Sequence, residues 1–219
     1  MFPLKDDNPT TRFPILTLGL ILINSALYLV RLALSPQADE AFMNALAFRP
    51  ALLTAGAATS ILTLVTSQFL HGGLLHLGGN MLYLWIFGDN VEDRFGHAKF
   101  VIFYLICGLA ATFAQLTFSL GSDIPNLGAS GAIAGVLGAY ILMFPQGKVS
   151  VLQGKVVTQV PALIVIGLWI VLQFFSGIGS IANSAETGGV AYMAHIGGFV
   201  AGFVLALLLR GNSTTQPTR

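Results

Sequence analysis

The chain is short of charge. Only 9% of its 219 residues are Asp, Glu, Lys or Arg, where soluble domains carry roughly 25%. The formal net charge is +1, so no surplus of either sign points to a nucleic-acid partner. Cys107 is the single cysteine. That excludes an intrachain disulfide and a cysteine-rich metal site, and in its apolar surroundings Cys107 reads as a packing residue. What is present is apolar: 55% of the residues are hydrophobic, and mean hydropathy is +0.80. These values exclude an ordinary soluble globule, a disordered chain and a disulfide-stapled secreted domain. They leave an integral membrane protein with room for about six helices of about 20 residues each.

A charge at mid-bilayer costs roughly 2.5 to 3.5 kcal/mol, so charge-free runs mark the spans. They cover residues 13–30, 50–88, 100–122, 124–147, 156–185 and 187–209. The second run is about twice the length of one helix. We divide it at Gly72-Gly73 into a span over 74–88 and a segment over 50–70. The latter carries Thr54, Thr59, Ser60, Thr63, Thr66, Ser67 and Gln68, a polarity that suits an interfacial segment; a seventh span is the alternative. On the six-span reading, Lys5, Arg12, Arg94, Lys99, Lys148, Lys155, Arg210 and Arg219 fall on one side, and only Arg31 and Arg49 on the other. The positive-inside rule then makes both termini cytoplasmic, as for a multi-pass protein of a bacterial plasma membrane. Seven spans with the N-terminus outside satisfy the rule equally. The expected organisation is a cytoplasmic tail over 1–12, a membrane domain over 13–210 and a disordered cytoplasmic tail over 211–219. The run from Phe13 is too long for a signal peptide and reads as an uncleaved anchor. No strong internal repeat supports a transporter of duplicated halves.

Ionisable residues inside a membrane domain are functional candidates. His76 and Asn80, four apart, share one helix face. His71 lies just before them, Ser130 sits in Gly128-Ala-Ser-Gly131, and His195 lies in the last span. His97, between Arg94 and Lys99, reads as solvated. At about 1.5 Å per residue, Ser130 lies roughly 10 Å in from Asp123, and His195 roughly 14 Å in from Glu186. His76, measured from Asp89, lies roughly 10 Å below the outer surface. Three residues distant in sequence thus share a depth. Gly131, Gly135 and Gly138 line one span, and Gly198 and Gly202 the other. Small-xxx-small faces allow close approach, so these helices are expected to bring Ser130 beside His195.

A serine hydroxyl becomes a nucleophile when a base takes its proton, and a neutral histidine is such a base. No Asp or Glu lies in any assigned span, so the pair is a dyad whose imidazole is oriented by helix packing. Asn80, His76 and the Ser130 amide at a helix start are candidate donors to an oxyanion. His76 and Asn80 could equally form a helix–helix hydrogen-bond pair.

These residues resemble the rhomboid family of intramembrane serine proteases. The matching pieces are His71-Gly-Gly-Leu-Leu-His76-Leu-Gly-Gly-Asn80, Glu92-Asp-Arg94-Phe-Gly96, Gly128-Ala-Ser130-Gly131 and Ala194-His195-Ile-Gly-Gly198 with Gly202. The resemblance implies an all-α integral membrane protein, a bundle of six transmembrane helices with a large, partly membrane-embedded first loop. It makes Ser130 the nucleophile and His195 the base, and gives His76, Asn80 and the Ser130 amide to the oxyanion hole. His71, Gly128, Gly131, Gly198, Gly202, Glu92 and Arg94 become structural. It implies no metal and no organic cofactor, and as partners the lipid bilayer and transmembrane substrates with helix-destabilising residues. Two positions depart from the family pattern. Leu62-Thr63 stand where many members have Trp-Arg, and Ala134 where an aromatic residue often stacks on the base. A catalytically inactive binder of transmembrane clients is the alternative. A polar transport path and a histidine-ligated metal or haem site are the other rivals. The absence of a membrane carboxylate disfavours the first of these, and the lack of a His-Glu-x-x-His string disfavours a zinc protease.

Overall fold

The computed structural model describes residues 2–183 and 191–209. The chain runs β1 (Phe2–Asp6), α1 (Ile15–Leu32), α2 (Pro36–Leu46), α3 (Pro50–Thr54), α4 (Thr59–Thr66), a 3-10 turn (Ser67–Phe69), α5 (Leu74–Phe95), α6 (His97–Leu116), α7 (Ser130–Met143), β2 (Lys148–Gln153), β3 (Val156–Pro161), α8 (Ala162–Asn183) and α9 (Tyr192–Leu209). Four of the helices, α1, α6, α8 up to Gly179, and α9, are long and apolar enough to cross a membrane. The expected tail over 211–219 and the start of the last expected run, with its depth marker Glu186, lie outside the described residues.

The 50–88 run divides where the glycines predict: α5 starts at Leu74, directly after Gly72-Gly73. The 50–70 segment holds only α3, of 5 residues, and α4, of 8, each far short of the about 20 needed to span. Where a family Trp-Arg is missing, other bonds anchor the segment. Thr66 Oγ1 donates to the Leu46 carbonyl at 2.7 Å, and Phe48 and Asn126 form an isolated bridge. Arg31 pairs with Asp39 at 2.7 Å and donates to the His71 carbonyl at 2.6 Å.

Three expectations are corrected. The all-α reading misses a three-stranded antiparallel sheet, ordered β1-β2-β3. Its alternation is visible in Lys148-Val-Ser-Val, where Val149 and Val151 are buried and their neighbours face outward, the period-2 pattern of a strand. Gly154, at φ +62°, and Lys155 form the two-residue turn that closes the β2–β3 hairpin. The run over 156–185 is therefore not one helix: its first six residues form β3, and α8 begins only at Ala162. Likewise helix in the 124–147 run is confined to α7. Residues 2–12, expected as a tail, are built into the fold. β1 pairs with β2, and the Thr11 and Arg12 amides donate to Asp93 at 3.1 and 2.9 Å.

The core is centred on α7, in which every residue from Gly131 to Tyr140 is buried. α9 crosses it at glycines. A methyl group on Gly198 or Gly202 would collide with the carbonyl oxygens of Gly131 and Gly135. On the α6 side, a methyl on Gly131 or Gly135 would fall 2.5 Å from the Cβ of Ala111 or Cys107. Bare backbone thus lets α6, α7 and α9 approach to van der Waals contact, the packing that the small-residue spacing predicts.

Candidate active site

Ser130 is the first residue of α7, and His195 lies in the first turn of α9. The glycine contacts hold these two turns together, and His195 Nε2 lies 2.8 Å from Ser130 Oγ. On the far side of the ring, Nδ1 lies 2.7 Å from Oε1 of Gln173 on α8. A carbonyl only accepts, so Nδ1 carries the proton and Nε2 offers its lone pair to the Ser130 hydroxyl. Trp169, one turn before Gln173, lies against the imidazole with ring centroids 5.5 Å apart. Tyr83 of α5 lies in turn against Trp169, at 6.4 Å. The orientation expected from helix packing alone therefore comes from an amide and an indole, both on α8. The indole occupies the role left open by Ala134.

Sequence reasoning missed Gln173 because it searched for ionisable groups. The signal was there: Gln173 is the single amide in the apolar stretch Ala162–Gly179, and it stands one helical turn from an aromatic residue.

Gly128 adopts φ +125°, a conformation that side chains other than hydrogen rarely enter. Its amide donates to the Ser67 carbonyl at 2.9 Å, which ties the loop before α7 to the first loop. The place where its Cβ would stand lies 2.9 Å from His76 Nε2 and 3.6 Å from Ser130 Oγ. One point in space is therefore close to both the Ser130 hydroxyl and a ring nitrogen of His76. Asn80 follows His76 by one turn of α5; it is 8% exposed, and its Nδ2 has no protein partner. His71 is buried with both ring nitrogens unpartnered, and its ring meets His76 edge-on at 5.1 Å. Behind Ser130 is a cavity of about 30 Å³, lined in part by Gln68, Gln115, Asn126 and Gly131. That is room for a water molecule beside polar partners.

Glu92 and Arg94, grouped with the site by sequence, stand elsewhere. Glu92 is four to five turns beyond His76 on α5, about 24 Å along the axis. It is buried, and its carboxylate accepts from the Leu16 and Thr17 amides at 2.9 and 2.7 Å and from the Thr17 hydroxyl at 2.7 Å. It thus receives the start of α1, where amides lack helical partners. His97, expected to be merely solvated, bonds Glu92 at 2.6 Å. Arg94 is exposed and forms no ion pair with a described residue. The neighbouring Asp93, not Arg94, holds the N-terminal segment, through Thr11 and Arg12. Among the described residues, no three His, Cys, Asp or Glu side chains gather as a metal site.

The fold and site define a polytopic membrane protein in which a half-buried serine meets a buried histidine at one end of the central helix. The Rhomboid domain model matches residues 58–212, and the chain belongs to the rhomboid family. It is 35% identical over 144 residues to Rhomboid protease GluP of Bacillus subtilis, covering 66% of this chain and 26% of that protein. To the mitochondrial Rhomboid protein 1 of Saccharomyces cerevisiae it is 31% identical over 148 residues, covering 66% and 40%. To RHOMBOID-like protein 4 of Arabidopsis thaliana it is 35% identical over 146 residues, covering 67% and 33%. The match thus spans less than half the length of each of these relatives.

Proposed function

We propose that the protein is an intramembrane serine endopeptidase that hydrolyses peptide bonds in or near the transmembrane helices of other membrane proteins. The observation that carries this reading is the 2.8 Å approach of Ser130 Oγ to His195 Nε2. Ser130 Oγ attacks the scissile carbonyl carbon while its proton passes to Nε2, and the carbonyl electron pair moves onto oxygen. Collapse breaks the C–N bond, and the proton on Nε2 goes to the leaving amine. Water then repeats the sequence on the acyl-serine ester and restores Ser130. The cavity behind Ser130 supports this second half.

The oxyanion is assigned to the space beside Gly128. His76 Nε2 flanks it, the Ser130 amide opens α7 nearby, and Asn80 brings a buried donor with no partner of its own. Losing one such donor costs about 100- to 1000-fold in rate. His71 backs His76, and Gly131, Gly198 and Gly202 hold the two catalytic helices together.

We read α1, α5, α6, α7, α8 and α9 as six spans of a membrane domain over 13–210, with α2 to α4 as the first loop. The sheet supports this count. β1 and β2 hydrogen-bond, so they lie on one side of the membrane, and an even number of crossings separates them. α1, α5, α6 and α7 make four; a further crossing over 50–70 would make five. With six spans, the lysine and arginine distribution favours a cytoplasmic sheet and a site toward the opposite face. It supports this sidedness without specifying an organelle, and the yeast relative is named as mitochondrial.

A peptide bond inside a membrane helix is hydrogen-bonded and shielded, so it must unwind before attack. Substrates with Gly or Pro near the cut lower that cost. The decisive assay is cleavage of a transmembrane reporter by purified protein in liposomes. Ser130→Ala and His195→Ala are expected to abolish cleavage, and a chelator to leave it unchanged. Cleavage that survives Ser130→Ala would overturn the reading; an inert wild type would favour the binder of transmembrane clients.

A further inference from the structure

We propose that Gln173 is a positioning residue for this reaction: its side-chain carbonyl holds the Nδ1–H of His195 and thereby fixes Nε2 as the face that accepts the Ser130 proton. The proposal rests on the protease reading. A neutral imidazole has one donor and one acceptor. The 2.7 Å contact to Gln173 uses the donor and the 2.8 Å contact to Ser130 uses the acceptor. With the proton on Nε2 instead, the ring would present a donor to the serine and could not take its proton. An acceptor at Nδ1 selects against that tautomer. A carboxylate fills this place in a triad, but no described Asp or Glu hydrogen-bonds to or pairs with His195. An amide carbonyl sets the tautomer and ring angle while adding only a dipole against the imidazolium that forms. Trp169, one turn away, steadies the ring face, so one helix supplies both the edge and the face contact of the base.

The test compares wild type, Gln173→Met and Gln173→Glu in the liposome reporter assay, with Ser130 labelling by a fluorophosphonate and a thermal melt alongside. Methionine keeps the length of glutamine and deletes the acceptor. Gln173→Met is expected to lower kcat by about 10- to 100-fold, the worth of one hydrogen bond to a group that becomes charged, with KM and Tm near wild type. Gln173→Glu is expected to restore kcat. Wild-type turnover in Gln173→Met, or equal loss in both variants, would overturn the assignment. If Gln173→Met fails to fold, Gln173→Glu decides alone: turnover supports the assignment, and a folded but inactive protein overturns it. A wild type that neither cleaves nor labels removes the protease reading and this inference together. An active wild type with an unaffected Gln173→Met removes the inference alone.

Discussion

Gly128 offers the sharpest test of how the site is assembled. At φ +125°, any side chain there carries backbone strain of about 1 to 3 kcal/mol. In Gly128→Ala the new methyl would also fall 2.9 Å from Cε1 and Nε2 of His76. Ordinary contacts are about 3.5 Å or longer, so the ring must retreat by about 0.6 Å or more. Oxyanion donors act over about 2.7 to 3.1 Å, and a shift of that size takes His76 out of range. The methyl also fills the space 3.6 Å from Ser130 Oγ, where the substrate carbonyl is expected. Loss of one donor alone predicts a fall in kcat of about 100- to 1000-fold. Gly121→Ala separates the two effects. Gly121 has φ +77° and is exposed, and its added Cβ would meet nothing within 4 Å. Alanine there therefore carries strain without touching the site. The assay is reporter cleavage in liposomes, with a thermal melt of each variant. Gly128→Ala should lose both turnover and a few degrees of Tm, and Gly121→Ala only the Tm. Turnover of Gly128→Ala equal to that of Gly121→Ala would refute the assigned oxyanion space.

Two further outcomes follow from the same geometry. Asn80→Leu should slow cleavage by about 100-fold without lowering Tm, because it removes a buried donor that has no protein partner; unchanged turnover would remove Asn80 from oxyanion stabilisation. In β1, burial pushes the Asp6 carboxyl above its ordinary 3.8, against the lowering hydrogen bonds from Tyr140 and Asn8. The native state then binds this proton more tightly than the unfolded chain. This contribution to stability accordingly falls as pH rises from 3.8 through the native value. Asp6→Asn should flatten the dependence of Tm on pH above 3.8, and an unaltered slope would argue against the burial-driven rise of the Asp6 carboxyl.

The helices were legible because lipid penalises charge: the gaps between charges locate α1, α6 and α9 to within a few residues. The same rule misled at 156–161. Val156, Val157 and Val160 carry no charge, yet they belong to a strand, which composition alone does not distinguish from the start of a span. The close approach of Ser130 and His195 was readable from glycine spacing, since only bare backbone lets two helices come that near. Gln173 was not readable by a search for titratable groups, because an amide that orients a base has no charge to betray it. Arg94 and Asp93 show the opposite error. Adjacent charges on a helix face different neighbours, and only the fold decides which one meets the N-terminal segment.

The shortness of α7 has a consequence for access. Its 14 residues make a rod of about 21 Å, some 9 Å less than a hydrocarbon core of about 30 Å. A lipid-facing helix of that length would have to thin the bilayer around it. Because Gly131 to Tyr140 are walled in by neighbouring helices, α7 is released from matching the bilayer at all. Its first residue, Ser130, can therefore end below the headgroups. On the proposed protease reading, a serine so placed would meet a client helix only when that client bends toward it.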